Sequence, residues 1–135
     1  MLKNDLLEGA VRFHGHFGPF LILGLKAGLL GISYLGKDYF ELCAKVETAP
    51  HPPHSCFIDG IQFSSGCTTG KGNIEVKAGE GVSVEFVRGE KSINLIVRND
   101  VLTALDHIPL ESQAEITARE ILHRTDDELF LIRRK

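Results

Sequence analysis

PFLILGLKAGLLGISYL, residues 19–35, is the longest apolar run in the chain, and the fold turns on how it is read. Pro19 suits the first position of a helix, where a missing N–H leaves nothing unsatisfied. Gly36 is placed to stop that helix. Apolar residues cover nearly the whole circumference, which implies burial on most sides. The run is broken by Lys26 and is a little short of the roughly 18 to 20 residues a bilayer span needs, so it reads as a core helix. Gly24, Gly28 and Gly31 lie three and four apart and share one face. A glycine inside a helix costs about 0.5–1 kcal/mol relative to alanine. Close approach of another backbone is the expected compensation, and a second copy of the chain is one candidate to supply it.

Upstream, a helix is expected over residues 5–14, with Asn4 as N-cap, Leu6, Leu7, Ala10 and Val11 as its apolar stripe, and Gly15 as its stop. Downstream, ELCAKVET (residues 41–48) alternates as a strand, with Leu42, Ala44 and Val46 on one face and Cys43 on the other. APHPPH (residues 49–54) holds three prolines and cannot be regular structure. Ser55 can cap a short helix from Cys56 to about Ser64, followed by a glycine-rich loop from Gly66 to Gly72. Strands over 74–77, 82–88 and 92–98 are separated by short turns, which predicts an antiparallel meander.

Asn99 can cap a helix to about Asp106. Ser112-Gln113-Ala114-Glu115 has the form of a capping box ahead of an apolar face made by Ala114, Ala118, Ile121 and Leu122. Residues 125–128 are read as a turn leading into a strand over 129–132. Helices at both ends and strands in the middle define an α+β fold, with one domain over residues 1–135 and a mainly antiparallel sheet.

Composition agrees. At 135 residues, 43% hydrophobic and 24% charged, the chain fits a single globular domain and excludes a disordered tail, a collagenous repeat or a disulfide knot. Fifteen basic residues against eighteen acidic give a net charge of −3, so no global electrostatic case exists for nucleic acid or an anionic membrane. Acids in the opening MLKNDLLEG stand where a leader would be apolar. A reducing cytoplasm is therefore the expected setting, and Cys43, Cys56 and Cys67 are read as core residues, ligands or nucleophiles.

Two places concentrate chemistry. His14-Gly15-His16 puts two imidazoles on one side of an extended stretch. The segment from Thr48 to Gly70 has one formal charge, Asp59, yet holds His51, His54, Cys56 and Cys67. Thiolate and neutral imidazole are the ligand set of zinc and its late first-row neighbours. The expected site is His14 or His16, or both, with Cys56 and Cys67. The cysteines lie eleven positions apart and form no CxxC, so a site built from separate loops fits better than a zinc finger.

Cys43 reads as structural, and His107 and His123 as surface residues. His51 and His54, beside prolines, are open between ligand, substrate-facing lip and solvated side chain. Gly66-Cys67-Thr68-Thr69-Gly70-Lys71 is one residue short of a phosphate-binding loop, and Gly72 stands where Ser or Thr should be. A Cys–His nucleophilic pair has no local signature.

Phe13-His14-Gly15-His16 with Pro19, then ELCAKVET, Cys56-Phe57-Ile58-Asp59-Gly60-Ile61-Gln62, and Gly66-Cys67-Thr68-Thr69-Gly70-Lys71-Gly72-Asn73 closely resemble the FmdE family of formylmethanofuran dehydrogenase. That family's pattern looks like FHGHxCPG, CxxDAIQ and TGCTxGKGN, and the likeness spans about residues 10–90. Two positions depart from it: the family's cysteine is Gly18 here, and its following glycine is Phe20. The C-terminal zinc ribbon of many relatives has no counterpart in this sequence.

The resemblance implies a metal site of His14, His16, Cys56 and Cys67. It adds Asp59, Gln62, Thr68 and Lys71 as members of the same pocket, Asp59 orienting an imidazole and Lys71 meeting an anionic group or Asp59. Asp59 and Lys71 are the catalytic candidates. It also implies association with a tungsten or molybdenum enzyme that fixes CO2 as a formyl group on methanofuran, with the pterin and iron–sulfur chemistry on other subunits.

The resulting expectation is a zinc-binding domain, homodimeric, with an accessory or subunit role in one-carbon metabolism. The alternatives are a stand-alone zinc-dependent hydrolase or hydratase of a small substrate, or an oligomerisation module without metal.

Overall fold

The computed structural model describes residues 3–135; Met1 and Leu2, the first of the residues weighed as a leader, lie outside that range. The elements run α1 (Asn4–His14), α2 (Pro19–Leu35), β1 (Cys43–Thr48), α3 (Cys56–Ser65), β2 (Ile74–Ala78), β3 (Ser83–Arg88), β4 (Lys91–Val97), α4 (Asn99–Asp106), α5 (Leu110–His123), α6 (Asp126–Leu129) and β5 (Phe130–Arg134). This is an α+β fold with one five-stranded sheet in the order β2-β1-β3-β4-β5. Three of the four strand pairings are antiparallel, and β1–β2 is parallel.

That parallel pair corrects the expected meander. After β1 the chain makes a helical crossover through α3, and such a crossover delivers the next strand parallel to the first. The strand so delivered, β2, takes the outer side of β1. Residues 79–82 then carry the chain past the end of β1, where the Gly79 N–H donates to the Thr48 carbonyl at 3.0 Å, and β3 pairs on the other side. The turn at residues 78–81 is therefore a crossing between non-adjacent strands, whereas Arg88 to Lys91 is a true hairpin.

Alternation along the strands sends Ala44, Val46, Val84, Phe86, Ile93, Leu95 and Phe130 into the core, all nearly inaccessible. Against that face lies α2, buried along most of its length as its composition requires. Its single charge is accommodated: Lys26 reaches to the end of α5, where Nζ donates to the Arg124 carbonyl at 2.6 Å. Burial pulls the Lys26 pKa down, partly offset by Asp126 and Glu128.

The glycine face meets a helix of the same chain, not a second copy. A Cβ on Gly24 would strike the Phe57 carbonyl and stand 2.9 Å from the Gly60 Cα; one on Gly60 would stand 2.6 Å from the Leu25 nitrogen. Helices α2 and α3 thus touch backbone to backbone. Gly28 fits against Ser64, and Gly31 against the Phe86 ring.

Three capping expectations are also corrected, among them Asn99, which lies inside α4 with Arg98 as its N-cap. Lys3, not Asn4, is the N-cap of α1, and α5 starts at Leu110 with Pro109 as N-cap, so Ser112 lies inside the helix and donates to the Pro109 carbonyl. The reciprocal capping box is at Thr125 and Glu128 instead, turning the chain into β5.

Candidate metal centre

Three segments converge on one point. Helix α1 ends at His14 because Gly15 adopts φ +105° and returns its N–H to the Val11 carbonyl at 2.7 Å. The reversal lays His16 against His14, with ring centroids 4.5 Å apart. Gly18 then runs extended into α2, and a Cβ there would lie 2.7 Å from His16 Nε2. Cys56 opens α3, which the α2–α3 glycine contact presses into place. One ligand atom each from His14, His16 and Cys56 lies within 4.8 Å of the other two. Ligand atoms around a shared tetrahedral zinc sit about 3.3–3.8 Å apart, so closing the cluster takes side-chain adjustments of no more than about 1.5 Å.

The hydrogen bonding fits a cation. Asp59, one turn after Cys56 on α3, meets His14 Nδ1 at 2.6 Å. Nδ1–H donating to that carboxylate leaves Nε2 with its lone pair, and Nε2 is buried with no partner. Buried polar atoms are nearly always paired, so an orphan of this kind needs an explanation. A metal supplies one, because ligating imidazoles commonly rest their second nitrogen on a carboxylate. Burial, and then the neighbouring His14, lower the pKa of His16, which favours its neutral, ligating form. Burial, and then Asp59, raise that of the Cys56 thiol, so a metal must displace a firmly held proton.

The sequence pattern of the FmdE family, described as "molybdenum formylmethanofuran dehydrogenase operon", matches residues 13–130. The chain belongs to the FmdE family. A curated relative from Archaeoglobus fulgidus, a probable S-adenosyl-L-methionine-binding protein, is 25% identical over 119 residues, which cover 87% of this chain and 30% of the relative. This domain thus spans about a third of that relative's length. A crystal structure of a tungsten formylmethanofuran dehydrogenase FmdE-like protein from Syntrophus aciditrophicus superposes with a TM-score of 0.69. It shares 19% identity, over 97% of this chain and 70% of that one. At that identity the likeness speaks for the fold.

Within this FmdE domain Cys67 lies apart from the cluster. It is fully buried, and its Sγ donates to the Leu42 carbonyl at 3.3 Å. Burial raises its pKa, as expected of a core thiol. The GCTTGKGN motif around it closes a loop. Asn73 accepts from the Thr68 N–H and donates to the Tyr39 and Leu42 carbonyls, all at 2.9–3.1 Å. Gln62 accepts from Thr69 N and Oγ1, and Lys71 Nζ donates to Thr68 Oγ1 at 3.1 Å while lying over the Tyr39 ring.

Among the described residues no ion pair joins Lys71 to Asp59. Of the residues the resemblance adds to the pocket, Asp59 is the one bonded to the cluster; Gln62, Thr68 and Lys71 are spent on the loop. His51, His107 and His123 lie outside the cluster and all three are exposed, and Cys43 faces the open side of the sheet.

One feature escapes sequence reasoning. His54 Nε2 meets Asp106 at 2.9 Å, across 52 positions, and its ring lies 4.7 Å from that of Phe20. No spacing rule links a loop histidine to a helix-end acid so far along the chain.

Asp59→Asn tests the orienting role. The amide keeps the size of the side chain but loses the charge, and zinc affinity should fall about ten- to a hundredfold. Competition with a chromogenic chelator measures it; unchanged affinity would detach Asp59 from the site.

Proposed function

We propose that this FmdE domain binds one zinc ion through His14 Nε2, His16 and Cys56, with a fourth position left open. It acts as an accessory or subunit of a molybdenum or tungsten enzyme of one-carbon metabolism. The observation that carries the metal is the buried, unpartnered Nε2 of His14, whose other nitrogen is held by Asp59. Family membership supports the accessory role. The cytoplasm is the proposed setting, in keeping with three unpaired thiols. A second copy is a proposed partner beside the enzyme's other subunits, the exposed Phe13, Tyr39 and Phe40 offering apolar surface for it.

A specific observation also favours catalysis by the domain alone. The cluster offers three protein ligands, and three ligands with one open position is the pattern of catalytic zinc, where closed structural sites have four. Bound there, zinc supplies Lewis acidity. The chain's own contribution is positional: Asp59 fixes the His14 ring, and the α2–α3 contact fixes Cys56.

The name of the Archaeoglobus relative does not carry over to this site. This domain covers 30% of that protein, and the small cleft beside His16 and Cys56 has an apolar lining with no Asp, Glu, Lys or Arg to meet the charged groups of such a ligand.

Metal analysis of protein purified without a metal-affinity tag and dialysed against zinc tests the reading. About one equivalent is expected. Less than about a tenth of an equivalent, unchanged on reconstitution, overturns it.

A further inference from the structure

A cleft lies beside the cluster and is lined by two of its three residues, His16 and Cys56. Beside those two its lining is apolar: Pro19, Phe20, Pro53, Leu110 and Ala114. Among the described residues no Asp, Glu, Lys or Arg lines it. The sheltered part, about 70 Å³ against about 150 Å³ for a closed apolar cavity that holds benzene, has room for roughly three heavy atoms, and the cleft opens to solvent past the exposed His16 and Pro53. The walls are braced. Phe20 packs on the His54 ring, which is anchored in turn to Asp106. Pro19 and Pro53 have fixed backbone torsions, and Leu110 and Ala114 are one turn apart on α5.

Resting on the metal reading above, we infer that this pocket binds a short, uncharged-tailed aliphatic thiol, of about two or three carbons, with its sulfur on the metal. Two imidazoles and one thiolate are three donors, which leaves a tetrahedral ion room for one more. Soft sulfur suits an ion already held by a cysteine. The apolar walls receive the alkyl tail and reject a charged one, which would lose its hydration without a partner. On binding, the S–H bond breaks, sulfur bonds to the metal with its electron pair, and the proton passes to solvent; nothing is oxidised or reduced.

Cobalt(II)-loaded protein titrated with ethanethiol, 1-propanethiol, benzyl mercaptan and 2-aminoethanethiol under reducing, oxygen-free conditions tests this. The cobalt absorption bands and the proton release in weak buffer are followed together. Ethanethiol and 1-propanethiol should shift the bands and release about one proton per site. Benzyl mercaptan and 2-aminoethanethiol should bind at least tenfold more weakly. Leu110→Ala, a half-buried residue outside the cluster, should recover benzyl mercaptan binding with cobalt affinity unchanged.

Protein that takes cobalt but shows no thiol-dependent change, or binds all four thiols alike, overturns the inference and leaves the metal reading standing. Protein that takes no cobalt removes both.

Discussion

Gly60→Ala should cost the domain about 3 kcal/mol of stability and lower its unfolding midpoint by roughly 10 °C. The added methyl has no room, because it points at α2, with the Leu25 nitrogen 2.6 Å and the Gly24 carbonyl carbon 2.8 Å away. Backbone cannot rotate aside as a side-chain tip can, so the helices must separate. Separation loosens the packing of Phe57 and Ile61, both fully buried on α3. Gly70→Ala is the matched control, since no atom lies within 4 Å of its Cβ position and its φ is not in the left-handed region. It should change stability by less than about 0.5 kcal/mol. Urea unfolding followed by circular dichroism compares the two, and a loss under about 1 kcal/mol at Gly60 would contradict the packing described. The same variant should bind metal less well, because α3 carries both Cys56 and Asp59 toward α1.

That link between glycines and ligands explains how much of the fold is legible in the sequence. The all-round apolar character of residues 19–35 announces burial, and the three-and-four spacing of its glycines announces a close neighbour. Neither says which neighbour. Gly60, its counterpart on α3, is a lone glycine in a ten-residue helix with nothing local to mark it. The strand alternation fixes which residues face inward but not the order of strands. β2 is delivered beside β1 by the intervening helix, and no pattern within β2 records that its partner is parallel.

At the site, residue chemistry selects His14, His16, Cys56 and Cys67, of which the first three come together, and the resemblance adds Asp59. Cys67 belongs to the same family pattern as these residues, so motif membership alone does not separate a ligand from a core thiol. What separates them is the Leu42 carbonyl on its sulfur, a contact across 25 positions.

Cys56→Ser and Cys67→Ser should therefore part company. The first removes a proposed ligand and should weaken zinc binding by more than the roughly ten- to hundredfold expected for an orienting carboxylate, because a neutral hydroxyl replaces a soft anionic donor. The second replaces a thiol that lies off the cluster and should leave one equivalent of metal in place, at a stability cost of about 1 kcal/mol.

A pH series sharpens the contrast. The Cys56 pKa is raised, chiefly by burial and then by Asp59, so the metal-free protein holds that proton through neutral pH and must release it on binding. Affinity should then rise as pH rises, by up to about tenfold per unit while the thiol is the proton released. In Cys56→Ser that slope should flatten, and in Cys67→Ser it should persist. Chelator competition between about pH 6 and 8 measures all three proteins, a window in which the raised thiol of the wild type stays protonated. Retention of metal by Cys56→Ser together with its loss from Cys67→Ser would reverse the assignment and move the site from the α1–α3 junction to the loop around Asn73.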